Sequence, residues 1–368
     1  MPEDADYFRV IYHLRVPPGE DPRRMARGIA LEQTVELPDD LVRDDRIREE
    51  VIGRVETPEP MEDGRFRVAI EYAWQVSGME IPQWLNLLFG NISLKKGIQI
   101  ADFSLRRDLF PGPRWGVDGI RRRCAVPSGP LLCTALKPVG SSTATLAAMA
   151  HDLALGGLHI IKDDHGMANQ GYSPFHERLP AVAEAVARAN RKSGSRCLYF
   201  PNFAPRFENI GRDLELCRRH GIEGLLVSPF LLGLDLVRYL AETQEFILMF
   251  HPALSGGWFA HGEHGLAAPL VLGKLFRGMG ADASIYPNVG GRFSFDAQTC
   301  RAINDHLRQP QGGRRSAFPV PAGGMTLARI PEMRRLYGED LIFLMGGALF
   351  REDQNLVRAA QRFRLAIS

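Results

Sequence analysis

The chain has 368 residues, 45% hydrophobic and 24% charged, with a formal net charge of +2. That balance argues against a nucleic-acid partner and for an ordinary globular protein. The length exceeds a typical domain of about 100–200 residues, so two domains are expected, one able to hold the roughly 250 residues of an α/β barrel. The five cysteines, Cys124, Cys133, Cys197, Cys217 and Cys300, form no CxxC pair, and the opening MPEDADYF carries no apolar leader. These features point to reduced thiols in a cytoplasmic protein, and no window is apolar enough for a membrane span.

Residues 1–125 read as an α+β domain. Phe8, Val10, Tyr12, Leu14 and Val16 recur at every second position, which places them on one face of a strand. Asp21-Pro22 is an N-cap followed by an N1 proline and opens a helix toward Glu32. Phe66, Val68, Ile70, Tyr72 and Trp74 alternate again. A helix around Pro82–Leu88 and a strand near Ile98–Leu105 follow. The order suggests a ferredoxin-like sandwich in which one strand is not visible.

Residues 126–368 alternate short apolar runs with helical patterns. The runs are Leu131–Leu136, Leu158–Lys162, Cys197–Asn202, Leu225–Pro229, Phe246–His251, Ser284–Pro287, Ala317–Pro321 and Leu341–Met345. The helices are Thr143–Leu155, Leu179–Lys192, Ile210–Arg219, Asp235–Thr243, Leu270–Met279, Asp296–Leu307, Leu327–Leu336 and Leu356–Ile367. Continuous apolar runs mark buried parallel strands. Eight such units in roughly 240 residues fit a (β/α)8 TIM barrel.

Only six of the 45 basic residues are lysines: Lys95, Lys96, Lys137, Lys162, Lys192 and Lys274. Two of them end barrel strands, where active sites of this fold lie. Lys137 ends the first strand and Lys162-Asp163-Asp164-His165 the second. Asn202 ends the third and His251 the fifth, and Gly323-Gly324 and Gly346-Gly347 end the seventh and eighth. A strand-end lysine can be a snorkelling surface residue, but two beside carboxylates are harder to explain that way. Asp164, His165 and a carbamate on Lys162 would make a ligand set for a divalent cation; an unmodified ammonium has no lone pair to give. A salt-bridged turn is the alternative. The glycine pairs can offer backbone N–H groups to a phosphate or can be simple turn residues.

The segments LEQTVE, FGNISL, GPLLCTALKPVG, GGLHIIKDDH, MFHPA, PAGGM and LMGGALF occur in this order. Together they resemble the RuBisCO large-subunit family over nearly the whole chain. The resemblance implies a catalytic lysine at Lys137, a carbamylated lysine at Lys162, and metal ligands at Asp164 and His165. It further implies active-site residues at Glu32 and Asn91, the strand-five histidine at His251, and phosphate-binding glycines at Gly324, Gly346 and Gly347, with Gly323 beside them. Mg²⁺ is the implied metal. Glu32 and Asn91 would reach the barrel mouth of a neighbouring subunit, so a homodimer with shared active sites is expected, open to higher assembly.

The departures from the family pattern matter as much. Val139 replaces the second lysine of KPK, and Pro252 replaces the arginine after the strand-five histidine. PNVGGRFSF has no lysine, Arg292 being its nearest cation, and Ala322 stands for the strand-seven serine. The N-terminal Thr-Trp element is missing. The chain therefore looks like a RuBisCO-like protein, not a carboxylase, whose substrate carries at most one phosphate. Asn91 stands where the methionine-salvage enolases have lysine, and His165 where the family has a glutamate ligand, which implies weaker-bound Mg²⁺, a different divalent metal or loss of the metal.

The expected chemistry is isomerase or lyase chemistry on a small phosphorylated ketose or 3-oxo sugar acid. A metal would stabilise an enediolate while Lys137, with its pKa lowered from about 10.4, removes the proton. His251 would bind a substrate hydroxyl or shuttle a proton. Two rivals are a Schiff-base aldolase using Lys137 or Lys162 and a catalytically silent binding protein.

Overall fold

The computed structural model describes residues 6–243, 245–293, 295–310 and 313–368. The first five residues, part of the segment read as lacking a leader, lie outside the described residues. Contacts divide the chain into two compact units: residues up to Pro111 with Leu254–Val271, and Gly112–Ala253 with Leu272–Ser368. The sequence reading had drawn one boundary at 125.

The first unit is built on a twisted sheet. Its strands are β1 (Tyr7–Leu14), β2 (Arg54–Val55), β3 (Glu59–Pro60), β4 (Phe66–Ala73) and β5 (Ile98–Phe103). The order β5-β1-β4-β2, with β1 antiparallel to both neighbours, is the ferredoxin-like order. The strand that the sequence did not reveal is β2. It is two residues long, too short for any alternation to register. Phe8, Val10, Tyr12 and Leu14 are all buried, while Val16 lies beyond the strand. The helices Pro22–Thr34 and Ile81–Phe89 bury Ala26, Ile29 and Ala30, and Ile81, Trp84, Leu87 and Leu88. Asp21 caps the first helix through the Arg23 N–H at 2.9 Å. A two-residue strand from far along the chain, β11 (Gly265–Leu266), pairs in parallel with β5. Nothing in the sequence reading anticipated it.

The second unit is an eight-stranded parallel barrel. Its strands are β6 (Leu131–Ala135), β7 (Ile160–Lys162), β8 (Leu198–Phe200), β9 (Gly224–Val227), β10 (Ile247–Phe250), β12 (Ala283–Pro287), β13 (Phe318–Ala322) and β14 (Ile342–Met345). The sheet runs β8-β7-β6-β14-β13-β12-β10-β9. Its two ends meet through a single parallel bridge, Asn202 to Leu226. The helices Thr143–Leu155 and Ile210–Arg219 have the expected bounds. The helix expected from Leu179 begins at Phe175 and carries Pro180 within it. The segment expected as a helix over 270–279 is a π-helix, Leu270–Leu275, followed by one short α-turn. At Gly156 a Cβ would lie 2.5 Å from the Ala360 Cβ, so only glycine lets these two helices approach.

Side chains of a strand alternate inward and outward. Leu131, Cys133, Ile160, Leu198, Phe200, Leu226, Ile247, Met249, Ala283, Ile285, Phe318, Val320, Ile342 and Leu344 share one buried cluster filling the barrel. Continued by steps of two, the inward positions beyond the strands are Lys137, Lys162 and Asp164, Asn202, Ser228, His251, Pro287, Gly324 and Gly346. The same alternation turns Asp163 and Tyr199 outward. Among the described residues no helix is long and apolar enough to cross a membrane. All five cysteines are free and buried; burial raises the thiols of Cys124, Cys133 and Cys217 to about 12, so they stay protonated.

Candidate active site

Five of the expected residues converge at the C-terminal end of the barrel. Lys137 Nζ lies 2.7 Å from Asp164 Oδ2, with its own side chain 47% exposed and that of Asp164 7%. His165 Nδ1 is 3.5 Å from Asp164 Oδ1. The His165 ring stacks on that of His251, with centroids 3.9 Å apart and planes 15° from parallel. Lys162 lies beneath them, 2% exposed, and its Nζ donates to the Asp163 carbonyl at 3.2 Å.

The electrostatics follow from burial. Loss of solvent pushes the Lys162 ammonium below the ordinary lysine value, and Lys137 adds to this against the pull of Cys133, Asp164 and Asp163. Burial also lowers His251 well below the usual imidazole value, and the charges of Lys162 and a protonated His165 would lower it further. His165 is lowered by burial and by Lys162 and Lys137, against Asp164. Both stacked rings are therefore neutral near pH 7. Burial alone would raise Asp164; hydrogen bonds from Lys137 and the Gly166 N–H, with the lysine charges, hold it below the usual carboxylate range.

The adjacent carboxylate has a different task. Asp163 accepts from Arg178 Nε at 3.0 Å, the Tyr199 hydroxyl at 2.8 Å and the Asn202 N–H at 3.1 Å. Arg178 completes its guanidinium on the carbonyls of Ser173 and Ala168. Asn202 donates from Nδ2 to the carbonyls of His165 at 3.1 Å and Met167 at 2.7 Å. This buried network fixes the loop that presents Asp164 and His165. Both aspartates of the turn are thus salt-bridged, Asp163 to the buried Arg178 and Asp164 to the half-exposed Lys137.

The glycines form a second cluster. Gly323 and Gly324 have φ of +93° and +65°, a region that favours glycine. A Cβ on Gly324 would meet the Gly290 carbonyl oxygen at 3.0 Å, whereas one on Gly346 or Gly347 would meet open space. Arg292 is exposed and lies over the Phe293 ring. A cation seated against these turns is Arg329, which the sequence does not single out. Its Nη1 donates to the carbonyls of Val289 at 2.9 Å and Gly324 at 3.1 Å, and its Nε to Glu332.

Glu32 and Asn91 lie in the first unit, where Asn91 Nδ2 donates to Glu32 Oε1 at 3.0 Å and to Glu36 Oε1 at 2.9 Å. Gln33 binds the two segments together: its Nε2 donates to the carbonyls of Asn86 and Leu87, and its Oε1 accepts from the Ile92 N–H. Glu36 was missed; its place four residues after Glu32, at a helix end, was the available signal.

Among the described residues no three His, Cys, Asp or Glu side chains converge as a metal site. Two such donors, Asp164 and His165, adjoin Lys162, whose buried nitrogen has one acceptor for three N–H bonds. A buried neutral amine is the form that adds CO2 and releases a proton to become a carbamate. The donor set therefore fits a divalent cation held by Asp164, His165 and a modified Lys162.

A ferredoxin-like domain and an eight-stranded barrel with paired lysines at its mouth define the class. The sequence profile described as "Ribulose bisphosphate carboxylase large chain, catalytic domain" matches residues 116–367. The chain belongs to the RuBisCO large-chain family, among its RuBisCO-like members. It is 39% identical over 363 residues to RuBisCO-like protein 1 of Rhodopseudomonas palustris, covering 98% of this chain and 97% of that protein. It is 37% identical over 371 residues to 5-methylthioribulose-1-phosphate isomerase of Rhodospirillum rubrum, covering 99% and 97%. The crystal structure of a RuBisCO-like protein from Rhodopseudomonas palustris superposes with a TM-score of 0.86 at 37% identity, covering 99% and 98%.

Proposed function

We propose that this chain is an enolising enzyme acting on a phosphorylated ketose, isomerase-like in outcome and without ribulose-bisphosphate carboxylase activity. The observation that carries the reading is the pairing of a half-exposed lysine, Lys137, with a buried one, Lys162, around Asp164. The resemblance to a 5-methylthioribulose-1-phosphate isomerase makes that ketose phosphate the first substrate to try.

The roles divide as follows. Asp164, His165 and carbamylated Lys162 hold Mg²⁺ or a similar divalent cation. When bound, that ion supplies positive charge to the oxygens flanking the acidic carbon. Lys137 in its neutral form is the base, its Nζ at the open end beside Asp164. His251, neutral and stacked on His165, offers its ring to a substrate hydroxyl. Gly323, Gly324, Gly346 and Gly347 leave backbone N–H groups open to one phosphate. Val139, Pro252 and the lysine-free loop after β12, with Arg292 its cation, depart from the family residues for a second phosphate and for a carboxylated product. Glu32 and Asn91 are assigned to the barrel mouth of a neighbouring copy in a homodimer, in keeping with the resemblance, and the protein is assigned to the cytoplasm.

The test is solvent-deuterium exchange into ketose monophosphates with Mg²⁺ and bicarbonate. The wild type should exchange the proton beside the carbonyl and Lys137→Ala should not. Equal exchange by both, or none by the wild type, overturns the reading. The lowered Lys162 also suits a Schiff-base aldolase. Borohydride trapping of substrate, insensitive to EDTA, would favour that alternative.

A further inference from the structure

The inward layer at the barrel mouth contains a polar side chain with no role in the chemistry above. Ser228 follows β9, whose Leu226 faces the barrel interior, and the two-residue period turns Ser228 the same way one layer higher. Val227 pairs with Phe250, and the His251 N–H donates to the Val227 carbonyl at 2.8 Å. Ser228 and His251 are therefore neighbours in register. Ser228 is 5% exposed, and its Oγ has no hydrogen-bond partner. Its carbonyl is used, accepting from the N–H groups of Leu231 and Leu232 at 3.0 Å each.

Buried hydroxyls are ordinarily hydrogen-bonded, and one left open needs a reason. The neighbouring polar groups do not supply a partner. Asn202 spends its amide on His165 and Met167. His251 Nδ1 accepts from the Ala253 N–H at 3.1 Å, which puts the ring proton on Nε2. The mouth thus offers, side by side, a neutral hydroxyl and a neutral N–H donor. A substrate hydroxyl, which both donates and accepts, matches this pair.

We propose that Ser228 binds a hydroxyl of the substrate, together with the Nε2–H of His251, and so selects a hydroxylated carbon over a deoxy one. The inference rests on the proposed function and adds a specificity residue to it. The experiment compares wild type and Ser228→Ala on 5-methylthioribulose 1-phosphate and on its 3-deoxy and 4-deoxy analogues, reading KM and kcat separately, with Tm for each protein. Ser228→Ala should raise KM for the parent about five- to tenfold, the worth of one neutral hydrogen bond. It should leave kcat within about twofold and have no effect on one of the deoxy analogues. Its Tm should hold or rise, because a methyl group replaces an unpaired hydroxyl. Ser228→Cys, near in size but a weak hydrogen-bonder, should behave alike.

Unchanged KM for the parent overturns the proposal. So does an equal loss on all three compounds with a lowered Tm, which would mark a packing role. A wild type that turns over no ketose monophosphate overturns the proposed function and this inference with it. Turnover that both Ser228 variants leave untouched overturns this inference alone.

Discussion

The two ends of the barrel handle buried charge in opposite ways. At the N-terminal end three buried charged groups, Asp282, Arg277 and Arg121, are completed by the protein. Asp282 accepts from the N–H groups of Trp115 and Gly116 at 2.7 Å each and of Leu248 at 2.9 Å. Arg277 donates to the carbonyls of Arg315, His306, Gln309 and Arg314. Arg121 binds Asp340 and the Gly129 carbonyl. The helix Gly116–Cys124 seals this end, with Val117, Ile120 and Cys124 joining the interior cluster. At the C-terminal end Lys162 has one carbonyl, Ser228 has none and two imidazoles stack uncharged. One end spends these polar groups on the fold, while the other, beyond the Asp163 network, leaves several for a ligand, the division known from barrels in general. Concavity alone would mislead here. A cleft of about 360 Å³ lined by Trp115, Asp118, Arg308, Arg315 and Asp340 opens at the structural end.

Substitutions at the two ends should separate activity from stability. The largest effect is at the mouth: Lys137→Ala should lower kcat about 10²–10⁴-fold, the usual worth of a positioned base, with little change in Tm. A fall in Tm with kcat intact would break the contrast. At the other end Asp282→Ala strands three N–H groups, and at about 1 kcal/mol or more for each should lower unfolding free energy by roughly 3 kcal/mol in denaturant titrations. The folded fraction should keep its kcat/KM.

A pH series sharpens the same point. Burial raises Asp282 from 3.8 to about 6, its three N–H bonds opposing the rise. The folded chain therefore holds that proton more tightly than the unfolded one. The associated stability is fully present below about pH 4 and is lost as pH rises through about 6, a term on the order of 3 kcal/mol. Subtracting the Asp282→Asn unfolding curve from that of the wild type between pH 4 and 7 should isolate it; parallel curves would refute it. The smallest effect belongs to Gly324→Ala, where the left-handed φ of +65° costs an L-residue about 1–2 kcal/mol. The expected readout is a raised KM for the phosphorylated substrate with kcat nearly unchanged.

The sequence was most legible where a period repeats. Eight apolar runs at strand spacing yield the barrel, and β1 and β4 show their alternation plainly. Strands of two residues, β2 and β11, leave no period to read. The convergence of Lys137, Lys162, Asp164, His165 and His251 follows from placing strand ends at one rim. What spacing could not tell is which of two adjacent aspartates faces in. That depends on register, since a shift of one residue exchanges Asp163 with Asp164. Glu36 closes the LEQTVE segment without being marked out by it and Ser228 lies in no motif; only neighbours distant in the chain give them meaning: Asn91 for the first, the β9–β10 register for the second.

The small strand β11 sets the order of assembly. The sheet of the first unit runs from Tyr7 to Phe103 and then takes its outermost strand from Gly265–Leu266. Between them lie five of the eight barrel strands, β6 to β10. At about 5–20 residues per second, a ribosome needs roughly 8–30 s to make that stretch. During this time β5 is an edge strand with Ile98 and Ile100 beside unpaired backbone groups, the kind of edge that recruits other chains. A nascent chain stalled before residue 265, or a fragment cut at Pro111, carries this exposed edge.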